Sequence, residues 1–69
     1  MMSSTVRTIN TMIQNAENRG QYLMADYAMH SMPISARIIR ARSVKGIIQG
    51  YVLASGKWVA IKPETIRTF

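Results

Sequence analysis

The side chains of this sequence best suited to binding chemistry are its cations, which are concentrated in the second half. Residues 31–69 hold seven lysines and arginines against one acid, Glu64, whereas the charges of residues 1–30 sum to zero. Three of the arginines are closely spaced: Arg37, Arg40 and Arg42. Guanidinium groups bind phosphates and base edges with paired donors. Because clustered cations repel one another until a polyanion neutralises them, the pattern favours nucleic acid as the partner over an acidic protein, a membrane surface or none.

Other kinds of chemistry find little support in the residue types. The three carboxylates are scattered, cysteine is absent and His30 is the only histidine. The sequence has no Ser/His/Asp arrangement and no glycine-rich phosphate loop. We therefore predict no enzymatic activity, no cofactor and no metal site. Trp58, beside Leu53 in a predicted hairpin, is interpreted as a core side chain rather than a platform on which bases stack.

The length of 69 residues limits the protein to one small domain. A chain of this size buries only about 60% of the surface that its unfolded form exposes. The longest apolar runs are four residues, far short of the roughly 20 needed to span a bilayer. We expect a single domain over residues 1–69, located in the cytoplasm and without a membrane partner.

Residues 4–19 have the spacing of an amphipathic helix. Its apolar positions are Val6, Ile9, Ile13 and Ala16, and its polar positions are Arg7, Asn10, Gln14 and Glu17. Ser3 or Ser4 can cap the first turn, and Gly20 can supply the left-handed residue that ends a helix.

The segment from Tyr22 to Met29 suits a second short helix, which Pro33 would end. Residues 34–44 fit two interpretations. As a helix, the segment has Ser35 as its N-cap and its arginines on the exposed surface. As a strand, it is interrupted because the adjacent Ile38 and Ile39 break the period of two. We favour the helix.

Residues 46–62 predict a β-hairpin. A two-residue turn at Ser55–Gly56 would place Leu53 opposite Trp58 and Val52 opposite Val59. Residues 63–69 then predict a helical turn begun by Pro63, with Ile66 and Phe69 packing on the hairpin.

From Tyr22 to Phe69, 48 of the 69 residues, the chain resembles the small excisionase and MerR-like DNA-binding domains of phages and mobile elements. The resemblance lies in Tyr22-Leu23, Ala28-Met29, Ile34-Ser35, the arginines of 37–42, Gly46-Ile47-Ile48, Gly56-Lys57-Trp58 and Ile61-Lys62-Pro63-Glu64. It implies an α+β, winged helix-turn-helix fold. In that fold an N-terminal helix precedes a helix-turn-helix over 22–45 with two short helices, a hairpin wing over 46–62 and a C-terminal turn over 63–69.

The same resemblance implies sequence-specific binding of double-stranded DNA, as an excisionase-like protein or a small transcriptional regulator. The second helix, residues 35–44, would enter the major groove. The implied DNA-binding residues are Ser35, Ala36, Arg37, Arg40, Arg42, Lys45, Lys57 and Lys62. Residues 4–19 could mediate a homodimer or a cooperative array, and the protein would associate with the nucleoid.

The alternative is a small phage-type inhibitor or adaptor that binds a phage or host protein. It would use the basic face or the apolar N-terminal helix. A strand over residues 35–44 would favour this alternative, since the second half would then be a small sheet or barrel with no helix for the groove.

Overall fold

The computed structural model describes residues 4–69, which form one helix and four strands. The elements are α1 (Ser4–Asn18), β1 (Leu23–Tyr27), β2 (Ser35–Val44), β3 (Ile47–Val52) and β4 (Lys57–Thr68). Ser3, one of the two expected helix caps, lies outside the described residues. Over the described range, the structure contains no helix with the length and apolar character needed to cross a membrane.

The four strands form one closed antiparallel sheet. β1 pairs with β2 and β4, and β3 pairs with the same two strands from the other side. The closure depends on the length of β4, because Lys57–Ala60 pairs with β3 and the following residues pair with β1. Pro63 lies where the β1–β4 register is irregular, between the pairs Asp26↔Lys62 and Met24↔Arg67. A proline is tolerated at such a break because a bulge leaves residues outside the ladder of hydrogen bonds.

Helix α1 packs on the sheet through the apolar stripe that its spacing predicts. The helix expected over 4–19 is present as Ser4–Asn18. Its buried residues are Val6, Ile9, Ile13 and Ala16, and they join Leu23, Ala25, Ile38, Ala41 and Ile61 in a single core. The apolar face of the helix is therefore used within the domain.

The predicted winged helix-turn-helix is wrong. The chain is α+β, but the part that the structure describes has one helix and a four-stranded sheet, where a winged helix-turn-helix has about three helices. The predicted helix from Tyr22 to Met29 is strand β1, in which Leu23 and Ala25 are buried and Met24 between them is half-buried. The predicted helical turn over 63–69 is also wrong, since β4 continues to Thr68.

The helix predicted over residues 35–44 is wrong as well, because a β-bulge disguises β2. Ile38 pairs with Val52 and Ala41 pairs with Gly50, so three steps along β2 match two steps along β3. The extra residue falls at positions 39–40 and reverses the alternation of faces. Both Ile38 and Ala41 are consequently buried although they lie three residues apart.

The hairpin predicted over 46–62 exists as β3 and β4, but the predicted turn and register are wrong. Four residues, Leu53–Gly56, connect the strands. Trp58 pairs with Tyr51 rather than Leu53, and Val52 pairs with Lys57. The two-residue turn lies instead between β2 and β3, at Lys45 and Gly46. Both have positive φ angles, 51° and 80°, as turns that match the twist of the strands require.

Candidate functional site

The extended conformation of residues 35–44 separates the three arginines that the sequence brings together. Arg37 and Arg42 lie on the outer face of the sheet, where they pair with Met24 and Gln49. Arg40 lies beside the bulge and lines a depression next to α1. The interpretation that one helix face presents all three arginines is therefore wrong.

Arg42 is held on the outer face by two contacts. Its guanidinium carbon lies 4.2 Å from the centre of the Trp58 ring. Its Nε donates a hydrogen bond of 2.8 Å to Oε1 of Gln49, the residue opposite it on β3. Neither terminal amino group of Arg42 has a hydrogen-bond partner among residues 4–69. The side chain is thus restrained while its two terminal amino groups are available to a ligand.

Trp58 is supported in turn by Tyr51. The two side chains form a cross-strand pair on the outer face, with ring centres 5.3 Å apart in an edge-to-face arrangement. Both residues are half-buried, and neither belongs to the buried core. The interpretation of Trp58 as a core side chain is wrong, because the register that placed it opposite Leu53 does not occur. We call the four residues Arg42, Gln49, Tyr51 and Trp58 the Arg42 face.

A second group of aromatic and basic side chains joins the two ends of the sheet. Tyr22 and Phe69 exchange backbone hydrogen bonds of 3.1 and 2.9 Å, and their rings stack with centres 5.9 Å apart. Arg37 lies over Tyr22 at 4.9 Å and Arg67 over Phe69 at 5.9 Å. No sequence pattern indicates this group, because its two aromatic residues are 47 positions apart and meet only when β4 pairs with β1.

Arg67, in contrast to Arg42, has both of its terminal amino groups engaged within the protein. It forms an ion pair of 2.9 Å with Asp26 and donates to the carbonyl of Thr65 and to the hydroxyl of Ser35. Ser35 itself donates to Asp26, its partner across β1 and β2. The Ser35 hydroxyl, followed by Arg67, holds the pKa of Asp26 below its ordinary value of 3.8. Ser35 therefore joins two strands and is not the cap of a recognition helix.

The remaining predicted DNA-binding residues are not gathered at one place. Lys45 lies in the β2–β3 turn, whereas Lys57 is the first residue of β4 and pairs with Val52, at the end of β3 away from that turn. Lys62 is exposed and pairs with Asp26 on the outer face. Ala36 pairs with the fully buried Ala25, so it belongs to the inner face of the sheet and is poorly placed to contact a partner.

The structure offers no arrangement for a metal ion, since residues 4–69 contain no group of three or more His, Cys, Asp or Glu side chains that could hold one. Comparisons of the chain with protein-family models, curated proteins and solved structures give no match. The resemblance to excisionase-like domains thus stays a prediction from the sequence.

Proposed function

We propose that this protein binds nucleic acid through the outer face of β2, β3 and β4, with Arg42 as the central contact. The observation that supports the proposal is the state of the Arg42 side chain. Trp58 and Gln49 restrain it from two sides, while its terminal amino groups have no partner within the described part of the chain. A restrained guanidinium loses less conformational entropy on binding than a free one, and its paired donors match a phosphate or a guanine edge.

The charge distribution supports the same proposal. Seven of the nine basic residues lie in residues 31–69, where Glu64 is the only acid. The ion pair with Arg67 already neutralises Asp26 on the outer face. The surface of the sheet therefore carries many cations and few acids. Its positive potential attracts a polyanion and speeds the association.

The mechanism differs from the one that the family resemblance implies. Of the elements described by the structure, only α1 is helical, and it comes from the half of the sequence without excess charge. The contact surface is instead a sheet, on which Arg42 and the neighbouring aromatic side chains face the ligand. A nucleic-acid-binding role would place the protein in the cytoplasm, in association with the nucleoid.

The test is a binding titration of the full chain with DNA and RNA oligonucleotides at several salt concentrations. We expect the logarithm of the affinity to fall linearly with the logarithm of the salt concentration, with a slope of about −3 to −4 if about four phosphates are neutralised. Arg42→Ala should weaken binding at least about fivefold. Arg7→Ala is the matched control, because it removes the same charge from the exposed surface of α1. Affinity that is unaffected by salt, or equal losses in both variants, would contradict the proposal.

Binding to a protein is a second candidate, favoured by the loop between β1 and β2. Met29 and Met32 are 83% and 72% exposed there, and the strand at 35–44 is the conformation that favours this alternative. The apolar face of α1 is buried, so any dimer or array built through residues 4–19 would use the polar face. A partner whose binding is lost in Met29→Ser/Met32→Ser and retained in Arg42→Ala would support this candidate.

A further inference from the structure

We infer that the nucleic acid recognised by the Arg42 face is single-stranded, an inference that rests on the proposed function and specifies its ligand. The Arg42 guanidinium is a flat group with two faces. The guanidinium carbon of Arg42 lies over the ring of Trp58, 4.2 Å from the ring centre. Arg42 is otherwise exposed, so the side of the guanidinium away from Trp58 is open to a flat ligand. Bases of single strands stack on guanidinium planes as they do on aromatic rings.

The side chains on which such a base would stack are already packed against one another. Tyr51 packs edge-on against Trp58, and Trp58 packs against Arg42. The hydrogen bond from Nε of Arg42 to Gln49 restrains the rotation of the guanidinium. A base placed on Arg42 would be the outermost layer. The two terminal amino groups lie in the guanidinium plane, at its edge, and can donate to a phosphate of the same strand.

A duplex cannot use this arrangement as well as a single strand. Paired bases are stacked on their neighbours, so their flat faces are covered and only their edges reach the grooves. Reading those edges usually requires a helix or a narrow ribbon that enters the major groove. In the described structure, the Arg42 face instead spans three adjacent strands of the closed sheet, with β2 and β4 on either side of β3.

The Tyr22–Phe69 group gives an independent indication of the same ligand. These rings are 38% and 55% exposed, and Arg37 and Arg67 lie over them. Exposed aromatic rings flanked by cations are the feature that binds single strands without regard to sequence, because every base has a flat face. The outer surface therefore holds a second cluster of exposed aromatic and basic side chains.

Trp58 allows the inference to be tested directly, because it is the only tryptophan in the chain. Its fluorescence should change when a base stacks on Arg42. The full chain is titrated with oligothymidylate and oligouridylate of about 15 nucleotides, within the range that small sheet domains cover, and with a duplex of the same length. We expect both single strands to bind at least about tenfold more tightly than the duplex and to alter the Trp58 emission.

Arg42→Lys is the decisive variant, since it keeps the charge and removes the flat guanidinium. We expect it to weaken single-strand binding about tenfold without changing the salt dependence. Arg7→Lys is the control and should bind as the parent does. Circular dichroism and urea unfolding confirm that each variant is folded.

The possible results separate the two proposals. Duplex binding as tight as single-strand binding, or parent affinity in Arg42→Lys, overturns the single-strand inference and leaves nucleic-acid binding in place. No binding to any of the three probes at low salt overturns nucleic-acid binding itself, and the inference with it.

Discussion

The side-chain amide of Asn10 pairs with the backbone of Ala41 through two hydrogen bonds. Its Nδ2 donates to the Ala41 carbonyl at 3.1 Å, and its Oδ1 accepts from the Ala41 amide at 2.9 Å. β1 pairs with β2 only as far as Ile38, so Ala41 lies beyond the end of that ladder. Asn10 thus satisfies the β2 backbone where a neighbouring strand is missing, and it fixes α1 to the bulge.

Replacing Asn10 by alanine should lower the free energy of unfolding by about 2 kcal/mol, because a partly buried amide and carbonyl lose their partners together. Urea denaturation measures the change. Gln14→Ala, which removes an exposed hydrogen bond to Asn18, is the control and should change stability by less than about 0.5 kcal/mol. Equal effects of the two substitutions would show that the Asn10–Ala41 pairing does not stabilise the docked helix.

The sequence predicts helix α1 but not the pairing of Asn10 with Ala41. The spacing of α1 identifies its buried side, but it places Asn10 on the solvent side, because a helical pattern does not show which polar residue meets a strand. The bulge in β2 likewise hid a structural feature from the sequence pattern. The adjacent Ile38 and Ile39 do not fit a regular strand, and the strand is in fact irregular at that point. The pattern therefore favours a helix, although it belongs to a bulged strand.

The candidate site was predictable only in part. Arg42 could be selected as a cation in a basic segment, but its importance comes from Trp58 and Gln49, which the register of β3 and β4 brings beside it. A shift of two residues in the predicted partner of Trp58 was enough to conceal that contact. Strand β1, by contrast, could have been predicted from the sequence nearby, because Leu23 and Ala25 alternate with polar or flexible neighbours as in a strand with one buried face.

Gly50 is the glycine that core side chains approach most closely. A Cβ at this position would lie 2.7 Å from Cγ2 of Ile38 and 3.4 Å from Cδ1 of Ile61. Cγ2 is attached to the branch point of a side chain that is 1% exposed, so it cannot move away freely. Gly50→Ala should therefore destabilise the protein by about 1–3 kcal/mol.

The measurement for Gly50 is a double-mutant cycle with Ile38→Ala, which removes the obstructing atom. We expect the combined loss to be smaller than the sum of the two single losses, because the added methyl group can occupy part of the vacated space. Strict additivity would mean that the cost of Gly50→Ala does not arise from this contact.

Lys45 offers a stabilising substitution. Its φ angle of 51° lies in the left-handed region, which asparagine tolerates better than lysine, and Asn-Gly is the preferred sequence for a turn of this kind. Lys45→Asn should raise the free energy of unfolding by about 0.5–1 kcal/mol. Lys45→Gln removes the same charge without the conformational preference, and thermal or urea unfolding should show no comparable gain. A gain shared by both variants would indicate relief of charge repulsion instead.

The hydrogen bond from Ser35 to Asp26, together with the Arg67 ion pair, makes stability depend on acid pH. Both interactions favour the ionised carboxylate, so the pKa of Asp26 is lower in the folded protein than in the unfolded chain. The unfolded state therefore binds the proton more readily as the pH falls. The contribution of Asp26 is complete above the ordinary value of 3.8 and is lost as the pH falls through the lower, folded value.

Urea unfolding of the parent and of Asp26→Asn between about pH 5 and about pH 2 should consequently converge. The parent is more stable at the upper end, and the difference shrinks toward the lower end because protonation removes the same charge that the substitution removes. Ser35→Ala should show a smaller acid-dependent loss than the parent, since it lacks the hydrogen bond that lowers the pKa most. A stability difference between the parent and Asp26→Asn that is constant over this range would contradict the account, because it would locate the role of Asp26 in packing rather than in its charge.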